Sequence, residues 1–116
     1  VYPSHYRRGF RSFKNPAEHP YEVVHYSLMV AEAKRARFER LLNAVPKDLP
    51  RPGQPAPIRG AALARLRPWL QAFDLGAPYP PSAVRDQIRA VYDTGGTSGW
   101  LLWSPSNVYD EDALER

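Results

Sequence analysis

Proline decides more about this chain than any other residue type. There are 13 prolines in 116 residues, about double the usual ~5%. Each removes a backbone donor and locks φ, so none suits a helix interior or a central strand. The prolines therefore mark where regular structure starts and stops. Five of them fall between Pro46 and Ile58. That stretch has few apolar residues and reads as a loop or linker.

Between the prolines, the apolar residues follow two periods. Val24, Leu28, Ala31, Phe38, Leu42 and Val45 recur at helical spacing. They predict a helix from about Pro20 to about Asn43, opened by a proline and stopped by Pro46. Val84, Ile88 and Val91 predict a second helix over Pro81–Thr94, with Gly95-Gly96 as its stop. Trp69–Phe73 and Gly99–Trp103 are short apolar runs bounded by turn residues, the pattern of buried strands. Val1–Tyr6 reads as the tail of another strand, running into a loop over Arg7–His19. Ala61–Leu66 is expected to form a helical turn, and Asp110–Arg116 to start a helix.

The order is then strand, helix, linker, strand, helix, strand, start of helix. Such alternation predicts an α/β chain with a parallel sheet. Right-handed crossovers would put both helices on one side of it. Three strands leave open edges and an uncovered face. The chain is therefore expected to associate with copies of itself or with the remainder of a larger barrel.

Composition narrows the chemistry. The chain has no cysteine, which excludes a disulfide scaffold, a thiolate nucleophile and a Cys-based zinc site. His5, His19 and His25 lack the i,i+3 or i,i+4 spacing of paired metal ligands. No glycine-rich phosphate loop is present, so neither metal nor cofactor is expected. No apolar run reaches the ~18 residues of a membrane span, and no membrane partner is expected. The net charge of +4 could attract an anionic partner, but acidic residues are dispersed among the basic ones.

Polar and aromatic residues gather where the strands should end. Ser4, His5 and Tyr6 follow the first strand, Gln71 and Asp74 belong to the second, and Trp103, Ser104 and Asn107 close the third. Parallel α/β barrels build their sites at these carboxyl ends. His5 could serve as an acid, base or donor, or simply as a structural hydrogen-bonding group. Asp74 could be a hydrolytic carboxylate or the cap of the following turn. The tryptophans could stack on sugar rings or pack in the core. Tyr2, Tyr6, Phe10 and Phe13 alternate with Arg7, Arg8, Arg11 and Lys14. That mixture suits a single-stranded nucleic-acid platform, or a basic loop whose aromatic residues pack on the body.

Three segments together, VYPSHY with HPYEVV, RPWLQAFD, and GWLLWSPSNVY, resemble the C-terminal part of a bacterial glycoside hydrolase family related to the α-amylase-like (β/α)8 barrels. The resemblance implies a partial (β/α)8 (TIM) barrel, roughly its last three βα units, with strands six, seven and eight. It implies a carbohydrate substrate and chemistry at a glycosidic bond. The principal carboxylate pair would lie on strands four and five, which this chain lacks. That leaves Asp74 as the candidate catalytic residue and His5, Tyr6, Gln71, Trp103 and Asn107 as candidate substrate contacts, in a chain inactive by itself. Ala72 stands where the family pattern commonly has an acid. The alternative is a non-catalytic module that binds glycan or nucleic acid; the lack of a nucleic-acid motif weighs against the latter.

Overall fold

Trp69–Gln71 (β1) and Leu101–Trp103 (β2) pair in parallel, with Leu70 opposite Leu102 and Gln71 opposite Trp103. The computed structural model describes residues 1–44 and 63–114. The proline-rich stretch Pro46–Ile58 lies outside these residues, as do Val45, Ala61 and Ala62. Hydrogen bonds extend the pairing by one step at each end. Leu101 N donates to Pro68 O at 2.9 Å, and Ala72 N to Trp103 O at 3.0 Å. The strands stay short because Pro68 and Pro105 have no N–H to continue a ladder.

Parallel strands need a crossover, and α2 (Pro81–Thr94) supplies it with the bounds expected from sequence. Gly95, at φ 67°, ends it. Side chains alternate across a strand, so Leu70 and Leu102 face one way, and Trp69, Gln71 and Trp103 the other. Leu70 is fully buried in one core with Val24 and Leu28 of α1 (Pro20–Ala44) and Ala90 and Val91 of α2. Both helices thus pack on the Leu70 side. Burial of a leucine like this stabilises by about 1.5–3 kcal/mol.

α1 covers the expected span from Pro20 to Asn43, but its apolar stripe is not buried throughout. Val23, Val24 and Leu28 are buried, while Phe38 is 53% and Leu42 50% exposed. Length explains this. Helix α1 has 25 residues, which at 1.5 Å each gives about 37 Å. A three-residue strand covers only about 10 Å. The C-terminal half of α1 therefore outruns the sheet. There Arg35 bridges Glu32 at 2.9 Å and Glu39 at 3.3 Å along the helix.

The opening segment is not a strand. Pro3–His5 forms a 3-10 turn, and the segment meets the main chain of the sheet through Val1 N, which donates to Trp69 O. In a parallel ladder, Gln71 N would then donate to Val1 O. Instead, the side chain of Gln87 takes the main-chain groups of Gln71. Val1 lies along the edge of β1 away from β2, where a further strand would lie. Leu63–Leu66 forms no helical turn. Near the C-terminus, Glu111–Ala113 forms a 3-10 turn capped by the Asp110 side chain. Among the described residues, no helix is long and apolar enough to cross a membrane.

Candidate functional site

The carboxyl ends of the strands meet in one aromatic cluster. The Tyr2 ring lies 5.9 Å from Phe73 and 5.7 Å from Trp103, and Phe73 lies 5.2 Å from Trp103. His5 packs edge-on to Tyr2 at 5.3 Å. Phe73 follows β1, Trp103 ends β2, and Tyr2 and His5 come from the opening segment. Alternation accounts for the Phe73–Trp103 contact: Phe73 follows Gln71 by two positions, and Gln71 is the register partner of Trp103. Trp103 is 39% exposed, Tyr2 and Phe73 are half-buried, and His5 is exposed. The cluster is thus a surface with open ring area. Tyr2 and Phe73 were not among the substrate contacts expected from sequence.

Gln71 underlies this surface. It is fully buried. Its Oε1 accepts from Ser4 N at 3.2 Å and Ser4 Oγ at 2.7 Å, and its Nε2 donates to Phe73 O at 2.9 Å. The carboxamide ties the Pro3–His5 turn to the end of β1, and so holds Tyr2, with His5 packed on it, against Phe73. Gln71 positions the cluster from below.

Asp74 is exposed, and its Oδ1 accepts from Tyr79 N at 2.7 Å. It shapes the loop that leads into α2. The Tyr79 hydroxyl donates to Ala17 O at 2.9 Å, and burial pushes its pKa up. Asn15 Nδ2 donates to Gly76 O at 2.9 Å. The Tyr79–Ala17 and Asn15–Gly76 contacts thus stitch the loop after β1 to the segment before α1.

Asn107 is exposed, in left-handed backbone at φ 55°, three residues beyond the buried Ser104. Tyr6 turns elsewhere. Its ring packs on Phe10 at 4.5 Å, and its hydroxyl lies 2.7 Å from Ser27 Oγ. Ser27 Oγ donates its one proton to Val23 O, so Tyr6 is the donor in that pair. The structure therefore brings together His5, Gln71 and Trp103, with Asp74 one residue from the Phe73 ring. Tyr6 is anchored on α1 instead.

A family model described as "putative glycosyl hydrolase domain" matches residues 1–109. The chain belongs to this family. The match takes in every candidate residue from His5 to Asn107. No curated protein and no solved structure matches the chain.

For a glycosyl hydrolase domain, the placing of carboxylates matters most. Glu22, Glu32 and Glu39 lie on α1, and Asp86 and Asp93 on α2. Glu18 lies in the turn before α1, and Asp110, Glu111 and Asp112 near the C-terminus. Several have cationic or phenolic partners: Glu32 and Glu39 pair with Arg35, Asp86 with Arg89, and Asp93 accepts from Tyr21. Asp74 is the one carboxylate among the described residues at a strand's carboxyl end. No group of three His, Cys, Asp or Glu side chains among them could hold a metal ion.

Proposed function

We propose that this glycosyl hydrolase-type domain contributes the substrate-contact part of a (β/α)8 barrel acting at a glycosidic bond. The observation that carries this reading is the open aromatic surface of Tyr2, Phe73 and Trp103, joined by His5 at the strand ends. Flat apolar ring faces beside polar edges suit a sugar, whose own faces are apolar and whose rim is hydroxylated. His5 supplies ring nitrogens at the border of that surface, Asp74 a carboxylate one residue from Phe73, and Asn107 would contribute from the exposed loop after β2.

The barrel reading is supported by the parallel pairing of β1 and β2 and by Val1 beside β1. It is also supported by the sheet face opposite the helices, where Trp69 is 47% and Trp103 39% exposed. Parallel sheets are normally covered on both faces. The part of that face left open would be covered by the remainder of a barrel or by a second copy of the chain. In the barrel, Val1–Tyr6, β1 and β2 would correspond to about the sixth, seventh and eighth strands, in an arrangement related to the α-amylase-like enzymes.

Glycoside hydrolysis uses two carboxyl groups about 5–10 Å apart, one giving a proton and the other serving as base or nucleophile. Asp74 alone cannot fill both roles. This chain by itself is therefore expected to bind oligosaccharide without cleaving it. The test pairs calorimetric titration with neutral oligosaccharides and turnover assays on aryl glycosides. Binding that weakens at least about tenfold in Trp103→Ala, the loss of a stacking ring, supports the reading. Turnover abolished in Asp74→Asn would overturn the claim of inactivity. No binding to any glycan would sink the carbohydrate reading itself.

A further inference from the structure

The loop between His5 and Asn15 plays no part in the aromatic surface, yet it is the most strongly charged segment next to it. Arg7, Arg8, Arg11 and Lys14 lie within eight residues, and all are exposed. None of the ion pairs among the described residues involves them. Arg35 of α1 and Arg89 of α2 pair with acidic side chains of their own helices, whereas no cation of this loop has an acidic partner among the described residues.

Its backbone is held in an unusual shape. Gly9, Arg11 and Ser12 have φ of 83°, 54° and 69°. Two of these are not glycine, and left-handed backbone is costly for them. The shape is braced nonetheless. Gly9 N donates to Phe13 O at 2.8 Å, Ser12 N to Gly9 O at 3.0 Å, and Phe13 N to Phe10 O at 3.0 Å. Phe10 packs between Tyr6 and Tyr26. Arg11 lies over the Tyr26 ring, its Cζ 4.3 Å from the centroid. Strained backbone persists where its surroundings over-determine it, and such strain concentrates at ligand sites.

Both ends of the loop are tied to the strand ends. His5 packs on Tyr2, and Asn15 bonds to Gly76 in the loop after β1. Arg7 and Arg8 follow His5 by two and three residues, so their Cα atoms lie within about 11 Å of its own. Guanidinium groups match carboxylates and sulfates with paired N–H donors.

We infer that the substrate is an anionic glycan, with carboxylate or sulfate groups on its units, and that Arg7, Arg8 and Lys14 bind those groups while the sugar rings lie on the Tyr2–Phe73–Trp103 surface. Arg11 is spent on Tyr26 and braces the loop. This inference rests on the carbohydrate reading above. A nucleic acid is less well served, because the loop aromatics Phe10 and Tyr6 are packed against α1 rather than open to stack on bases.

The test measures affinities for matched pairs of glycans that differ only in charge. Oligogalacturonate is set against its methyl ester, glucuronate-bearing xylan against plain xylan, and chondroitin sulfate against desulfated chondroitin. Each is titrated against the chain and against the triple variant Arg7→Gln, Arg8→Gln, Lys14→Gln. At least one acidic member is expected to bind about tenfold or more tightly than its neutral partner, and to lose that advantage between about 50 mM and about 300 mM salt. Which pair responds distinguishes carboxylate from sulfate. The triple variant should melt at an unchanged temperature and lose the same advantage. The salt series on the unaltered chain tests the inference even if the variant folds poorly. Equal binding of charged and neutral partners overturns the inference and leaves the carbohydrate reading intact. If no glycan binds at all, charged or neutral, both fail. Tighter binding of oligodeoxythymidine than of any acidic glycan also overturns the inference and marks the loop as a nucleic-acid site.

Discussion

Gln87 holds both main-chain groups of Gln71: its Oε1 accepts from Gln71 N at 3.0 Å, and its Nε2 donates to Gln71 O at 2.8 Å. A side chain of α2 thereby does what a neighbouring strand would do. Both residues are fully buried, so water cannot substitute. The same Gln71 then passes the constraint on through its carboxamide to Ser4 and Phe73, and so to the aromatic surface.

Gln87→Leu should be among the most damaging single substitutions. It leaves a buried N–H and a buried C=O unpaired, each costing about 1–3 kcal/mol. A loss of about 2–5 kcal/mol is expected, read as a lower urea midpoint with little change in slope. A midpoint within error of the unaltered chain would mean that Gln71 finds another partner.

Gly76 and Gly9 offer a paired measurement. Both have left-handed backbone, at φ 74° and 83°. A Cβ on Gly76 would meet Ala17 Cβ at 3.2 Å, whereas one on Gly9 meets nothing within 4 Å. Gly9→Ala should cost about 1–2 kcal/mol from backbone alone. Gly76→Ala should cost more, because it also pushes apart the loop and the segment before α1. Thermal melts of both variants check the order, and the reverse order would refute the contact.

Tyr79 should make stability fall at alkaline pH. Burial holds its pKa above the ordinary phenol value, while in the unfolded chain it ionises near about 10. The stabilisation it provides is complete below that unfolded value and declines as pH rises beyond it towards the folded pKa. Tyr79→Phe should lower stability at neutral pH by about 1 kcal/mol, the hydrogen bond to Ala17 O. It should also flatten the fall in melting temperature at alkaline pH. An equally steep fall in the variant would assign the effect to other groups.

Asp74 can be separated into a structural and a chemical part. Asn keeps an oxygen that can accept from Tyr79 N, so Asp74→Asn should melt like the unaltered chain. Asp74→Ala should lose about 1 kcal/mol, as at other caps. In any assembly that cleaves a glycoside, Asp74→Asn should still reduce turnover if the carboxylate takes part. Equal turnover would leave Asp74 only the capping role.

Much of the local structure was legible because its causes are local. Pro20 and Pro81 open the helices, Gly95 closes the second, and apolar spacing fixes which faces turn inward. Those signals act within a turn or two of chain. The exposure of Phe38 and Leu42 was not legible, because periodicity identifies a face without saying how far the sheet beneath it extends. Val1–Tyr6 read as a strand tail. Instead Pro3–His5 is a 3-10 turn, and the segment's one main-chain to main-chain bond with β1 is that of Val1 N to Trp69 O.

The sequence by itself determined the two helices, the two strands and the set of residues near the strand ends. Only the tertiary structure decided which of those residues meet. Gln71 and Trp103 stand 32 positions apart, and their pairing depends on the register of β1 against β2. That register brings the Phe73 ring to Trp103. The Gln71–Ser4 bond brings Tyr2 to both, while the Tyr6–Ser27 bond draws Tyr6 away. Contacts between distant segments form only when packing selects one geometry among many that local preferences allow. No residue's neighbours in the chain carry that information.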